Sequence, residues 1–174
     1  MFLAEIRQLL IALLCGTLFC ASGFQPCLAD TLSGKCVKIL DGDTIEVLCA
    51  NTPFRVRLDG IDCPEKRQAF GQQAKNFTGA LVFRKDVEVS WKKKDRYGRL
   101  LGTVKLSDGR ILNDELVRSG YAWWYRKYSN DRRLAALELS ARNQRAGLWS
   151  TDAAIAPWDF RHMEKTPITA LERR

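Results

Sequence analysis

Cys36-Val37-Lys38-Ile39-Leu40-Asp41-Gly42-Asp43-Thr44-Ile45-Glu46-Val47-Leu48-Cys49 decides the fold, because two β-rich runs flank a turn with Gly42 at its centre. Branched side chains suit a pleated surface, and a glycine-containing turn between two such runs is a hairpin signature. Cys36 and Cys49 sit symmetrically about that turn, which makes them a candidate disulfide. Such a bond would add about 3 kcal/mol by the loop-entropy model. Two buried thiols in the hairpin are the competing arrangement.

Outward from the hairpin, a third strand fits residues 54–58, Asp59-Gly60 is a turn, and Pro64 marks the approach to a helix. Within 68–82, Phe70, Ala74, Phe77 and Leu81 recur at helical spacing. Strands then fit 87–91 and 100–106, separated by the charged, glycine-containing loop 92–99. Asn113 opens a short helix through Val117, ended by Ser119-Gly120, and Asn130 or Asp131 caps a longer one that runs to Gly147 with Leu134, Leu137 and Ala141 facing the core. Five strands with helices after the third and the fifth predict an α+β, mainly β chain. The expected architecture is a five-stranded OB-fold-like barrel flanked by about three helices. It spans residues 30–150, followed by an irregular tail over 151–174.

Residues 1–29 carry Arg7, then an apolar run over 9–19, then Cys27-Leu28-Ala29 before Asp30. This is the pattern of a secretory signal cleaved near Ala29, giving a periplasmic or extracellular protein without stable membrane insertion. An uncleaved anchor is disfavoured, since the run is broken by Gly16 and falls short of the roughly 20 apolar residues a span needs. A lipid-modified Cys15, Cys20 or Cys27 lacks a lipobox-like context. The formal charge of +8 is unchanged by processing, because 1–29 contains one cation, Arg7, and one anion, Glu5. A basic mature chain attracts nucleic acid, an anionic membrane surface or an acidic protein, and charge alone does not choose among them.

Four carboxylates, Asp41, Asp43, Asp62 and Glu65, fall at strand or turn ends. Loops from one end of a barrel can converge there, and hard oxygen ligands suit calcium or magnesium. Taken alone, Asp41-Gly42-Asp43 is most simply a turn. Arg57 lies on the strand leading to Asp62, and Arg99 ends the basic loop; their planar forks match a phosphate and the charge that builds on it. His162, the sole histidine, stands in the tail without a ligand set, so a zinc site has no support.

In order and spacing, Val37-x-Ile39-x-Asp41-Gly42-Asp43-Thr44, Arg57-Leu58-x-x-Ile61-Asp62-Cys63-Pro64-Glu65, Asp95-Arg96-Tyr97-Gly98-Arg99, Leu112-Asn113-x-x-Leu116-Val117-x-x-Gly120 and Ala146-Gly147-Leu148-Trp149 resemble the thermonuclease, or staphylococcal-nuclease-like, family. The likeness runs from about Lys35 to Trp149. It implies calcium held by Asp43, Asp62 and the backbone carbonyl of Cys63, with Asp41 and Glu65 reaching it through water. It also implies Glu65 as general base, Arg57 and Arg99 on phosphate oxygens, and hydrolysis of DNA and RNA, preferably single-stranded or denatured, to 3′-phosphate ends by a monomer.

Arg96 and Tyr97 match family positions near a terminal phosphate. Cys63 departs from the family's usual threonine or alanine, and a buried, unreactive thiol is expected there. The run 121–128 mixes aromatics with cations as a base-stacking platform would, with Tyr128 the expected base contact, while Tyr121, Trp123 and Tyr125 equally alternate as a half-buried strand. Lys92, Lys93 and Lys94 form a solvated basic run or a loop that folds over substrate. The rival class is a non-catalytic OB-fold module that binds nucleic acid; it has no need of Asp43, Asp62, Glu65, Arg57 and Arg99 together.

Overall fold

The computed structural model describes residues 30–165, so the expected leader over 1–29 and the end of the tail lie outside the described residues. Strands β1 (Asp30–Asp41), β2 (Thr44–Cys49), β3 (Thr52–Leu58), β5 (Asp86–Lys94) and β6 (Leu100–Leu106) close a barrel in the order β1-β2-β3-β6-β5. Every neighbouring pair is antiparallel except β3 with β6, which run parallel. Two short strands, β4 (Ile61–Asp62) and β7 (Trp123–Trp124), pair outside the barrel. The helices are α1 (Gly71–Val82), α2 (Leu112–Arg118), α3 (Arg132–Asn143) and α4 (Pro157–Lys165), with a 3-10 turn at Gly147–Ser150.

β1 is longer than the hairpin alone predicts, because its two halves serve different partners. Residues Asp30 to Lys35 pair with β5, and from Lys35 onward the strand pairs with β2. A register shift between Cys36 and Lys38 bends it from one neighbour to the other, as bulges do at barrel corners. The barrel interior is filled by Ile45, Val47, Val56, Leu58, Val89, Leu100 and Val104, each at most 1% exposed. Leu112, Leu116 and Val117 of α2 and Ala74 and Val82 of α1 extend the same core. Asp131 caps α3 by accepting from the Arg133 amide at 2.8 Å, and the helix stops at Asn143 rather than at Gly147.

Two expectations are corrected. Cys36 and Cys49 are both free thiols. In the observed register Cys36 faces Val47 and Lys35 faces Leu48, so the cysteines are diagonal neighbours rather than opposite ones. Diagonal positions lie about 7–8 Å apart, whereas a disulfide needs β-carbons about 3.8 Å apart. Cys36 is fully buried and burial pushes its thiol up to about 11, while Cys49 sits at the β2–β3 turn opposite Thr52. The tail expected to be irregular from Thr151 is so through Ala156 but then folds into α4, which starts at Pro157 and carries Asp159 in its first turn. Proline costs no hydrogen bond at a first helical position, and an acidic residue there meets the positive end of the helix dipole.

Candidate active site

The β1–β2 turn is pressed onto the rest of the molecule. A β-carbon added at Gly42 would lie 2.8 Å from the Cys63 β-carbon and 2.9 Å from that of Ala74, so only glycine lets the turn approach β4 and α1 this closely. Thr78 Oγ1 donates to the Gly42 carbonyl at 2.5 Å and fixes the same contact from α1. The approach delivers Asp43 to the backbone of Cys63, whose amide donates to Asp43 Oδ2 at 2.8 Å. Thr44 Oγ1 donates to the other oxygen at 3.0 Å.

Arg57 stands opposite Thr44 in the β2–β3 ladder and turns its guanidinium into this junction. Nη2 lies 3.1 Å from Asp43 Oδ2 and 2.7 Å from Asp62 Oδ1, and Nη1 donates to the carbonyls of Leu58 and Ile61 at 2.6 and 2.9 Å. A guanidinium has five N–H donors, and most of these are engaged by protein. Its side chain is only 14% exposed. Burial works to lower the Arg57 pKa, but Asp43 and Asp62 outweigh it and the net direction is up. The side chain expected to hold phosphate therefore acts here as a buckle between two carboxylates, with two backbone carbonyls fixing its plane.

Glu65 is held by its main chain. Its carbonyl packs so closely on the start of α1 that a β-carbon at Gly71 would come within 2.1 Å of it, and its amide donates to Gln68 Oε1 at 3.1 Å. Asp41 closes the acidic end, and its pKa is raised by burial and then by the charges of Asp43 and Glu65. Asp62, 2% exposed, is likewise raised, mainly by burial. Crowded carboxylates whose protonation is favoured by one another are what a divalent cation relieves, so the donor set fits calcium or magnesium. Among the described residues no three acidic, cysteine or histidine side chains form a ready coordination shell as arranged.

A basic side chain from the end of the chain occupies part of that space. β4 pairs with β7 so that Asp62 stands opposite Trp123. The Trp158 ring of α4 then docks on this aromatic strand, stacked on Tyr125 at 5.0 Å and 7° and edge-on to Trp123 at 5.7 Å. One helical turn later, Arg161 Nη2 reaches Asp62 Oδ2 at 2.8 Å and Nη1 reaches Glu65 Oε1 at 2.6 Å. Those carboxylates drive the Arg161 pKa up against a burial effect that works to lower it. Gln68 Nε2 donates to the Ile155 carbonyl at 2.5 Å and ties the segment before α4 to the approach of α1. A surface groove of about 730 Å³ runs beside the dock, lined among others by Trp123, Arg126, Arg142 and Trp158.

The basic loop is a separate unit. Arg99 Nε donates to Asp95 Oδ2 at 2.7 Å, while the amides of Tyr97 and Arg99 both donate to Asp95 Oδ1. Hydrogen bonds from Arg99 and the loop backbone hold the Asp95 carboxyl below its ordinary value against a burial effect that would raise it. Arg96 and Arg99 both lie over the Tyr97 ring, at 4.9 and 5.6 Å from its centre. Tyr97 is 69% exposed and Tyr128 is 64% exposed, the latter edge-on to Tyr125 at 4.7 Å. Among the described residues no hydrogen bond or ion pair joins Arg96, Tyr97, Arg99 or Tyr128 to the carboxylates. Arg57, Asp43, Asp62, Cys63, Glu65 and Asp41 are thus brought together, and the remaining candidates are not.

Cys63 is buried, and burial followed by the Asp43 charge pushes its thiol well above the ordinary range. The aromatic run 121–128 divides its labour: Tyr121 packs on Phe77 at 4.9 Å and Trp123 on Trp149 at 4.4 Å, while only Trp123–Trp124 pair as a strand. Sequence reasoning missed Arg161 and Trp158. Pro157-Trp158-Asp159 signals a helix start with Trp158 and Arg161 on one face, but not where that helix docks.

The family model described as staphylococcal nuclease homologue matches residues 55–151. A protein of Escherichia coli O157:H7 named an uncharacterized endonuclease is 43% identical over 137 residues, 79% of this chain and 90% of its own. Protein ParB of Escherichia coli is 46% identical over 140 residues, covering 75% of this chain and 79% of that one. A micrococcal nuclease of Shigella flexneri is 43% identical over 150 residues, 80% of this chain and 86% of the relative. With barrel, motif order and these likenesses in agreement, the chain belongs to the staphylococcal nuclease homologue family.

Proposed function

We propose that the protein is a calcium-dependent nuclease that hydrolyses phosphodiester bonds of DNA and RNA, acting on single-stranded or denatured substrate as an exported monomer. The observation that carries this reading is the gathering of Asp41, Asp43, Asp62 and Glu65 around the buried Arg57 buckle at one end of the barrel. The relatives named endonuclease and micrococcal nuclease support the reaction class.

Asp43, Asp62 and the Cys63 carbonyl would hold the cation, with Asp41 and Glu65 one water away. When bound, calcium supplies charge neutralisation and orientation of the scissile phosphate. Arg57 keeps Asp43 and Asp62 at fixed separation, which preorganises the ligands before substrate arrives. Glu65 takes the proton of the attacking water as general base. Arg99, carried on a loop outside the buckle, exchanges Asp95 for a non-bridging phosphate oxygen and stabilises the charge that grows in the transition state. Arg96 and Tyr97 extend that contact to a neighbouring phosphate, and Tyr128 offers an exposed ring to a base. Cleavage of the 5′ P–O bond leaves 3′-phosphate ends.

Purified protein incubated with denatured DNA and with RNA in calcium degrades both, and a calcium chelator stops it. The ends, assayed by labelling before and after phosphatase, carry 3′-phosphates. Cleavage undiminished by chelation sinks the metal assignment, and binding without cleavage returns the chain to the non-catalytic class.

A further inference from the structure

A single side chain ties α4 to both acidic groups on which the proposed chemistry turns. Arg161 bonds a different nitrogen to each of two carboxylates, Asp62 Oδ2 and Glu65 Oε1. Asp62 is thereby flanked on both oxygens, since Arg57 holds Oδ1. A cation coordinated by carboxylate oxygens sits about 2.3–2.6 Å from them. It would draw on the lone pairs that Arg161 now occupies, and would place a second positive charge beside the guanidinium. The two arrangements oppose each other, through the lone pair on Asp62 Oδ2 and through Coulomb repulsion.

The position of Arg161 is built rather than incidental. Asp62 is aligned with Trp123 by strand pairing, Trp158 is stacked on Tyr125 and set against Trp123, and Arg161 follows one turn behind Trp158. A surface arginine free to choose partners needs none of this scaffold. Its side chain is 35% exposed, so solvent reaches it and release does not require opening the core.

We propose that Arg161 lowers the cation affinity of the site: it competes with the divalent cation for Asp62 Oδ2 and with the cation's water for Glu65 Oε1, so that binding of one weakens binding of the other. The inference rests on the cation reading above. Reciprocity follows, because whatever Arg161 takes from cation binding the cation takes from the docking of α4. Once released, the guanidinium stays tethered by the Trp158 stack near the acidic end, where it can meet a substrate phosphate.

Isothermal titration of calcium chloride into the purified protein, without nucleic acid, tests this directly. Arg161→Gln keeps hydrogen-bonding capacity and loses the charge, and it binds calcium about tenfold more tightly than the wild type. Arg161→Lys, which keeps the charge but not the fork that spans two carboxylates, gains about threefold. Affinity in Arg161→Gln equal to or weaker than wild type overturns the proposal; should that variant not fold, equality in Arg161→Lys does the same. Failure of the wild type and of both variants to take up calcium overturns the cation reading itself, whereas a wild type that binds while both variants match it overturns only the role of Arg161.

Discussion

Arg57 and Arg99 are matched in motif position and opposite in physical circumstance. Arg57 is buried between Asp43 and Asp62 with two backbone carbonyls completing its shell, whereas Arg99 leans on Asp95 within its own loop. A guanidinium of the first kind is part of the architecture, since removing one partner leaves a buried charge uncompensated. One of the second kind has a single carboxylate partner within its own loop, and by the proposal above it exchanges that partner for a phosphate. Two arginines that look alike as letters thus divide into one that bridges two carboxylates and one that is bonded only within its own loop.

The sharpest way to break this division is kinetic. Glu65→Gln lowers kcat by about 10²–10⁴, the range of a lost general base, with an unchanged melting temperature. Arg99→Ala lowers kcat by about 10²–10³ and leaves stability within about 0.5 kcal/mol. Arg57→Ala separates from it by losing about 3 kcal/mol of stability in urea unfolding along with activity. If Arg57→Ala proves as stable as Arg99→Ala, the buckle is not structural and the comparison fails.

Smaller effects sharpen it. Native-state alkylation followed by peptide mass mapping labels Cys49 first, with Cys36 and Cys63 modified only on unfolding, because both thiols are buried and shifted upward. Simultaneous protection of Cys36 and Cys49 would revive the disulfide. The smallest effect belongs to Asp95, whose folded pKa is depressed. A depressed carboxyl contributes stability above its unfolded pKa of about 3.9 and loses it as pH falls through the folded value. The stability advantage of wild type over Asp95→Asn should be less than about 1 kcal/mol above pH 4 and should disappear as the pH falls below it.

What was legible in the sequence follows the range of the interactions. The hairpin and the start of α3, capped by Asp131 of the two candidates Asn130 and Asp131, are settled by neighbours a few positions away, and they emerged as expected. The N-terminal half of β1 was not legible, because Asp30, Thr31, Ser33 and Lys35 show no clear alternation and are strand only through β5. The Cys36 and Cys49 pairing misled because symmetry about a turn says nothing of a bulge. In the site, the acidic residues could be named from their motifs, yet the engagement of Arg57 by carbonyls and the arrival of Arg161 depend on packing that no local pattern encodes.

The partners of Asp62 lie at very different distances along the chain. Its bond to Arg57 spans 5 residues, the neighbouring amide contact to Asp43 spans 20, and its bond to Arg161 spans 99. A chain made from its N-terminus therefore carries Asp43, Arg57 and Asp62 well before Arg161 has been added. During that interval the acidic end carries one fewer compensating charge, and by the competition proposed above it is then at its most receptive to a metal ion. Synthesis order would make the site strongest for its cation first and moderate it last.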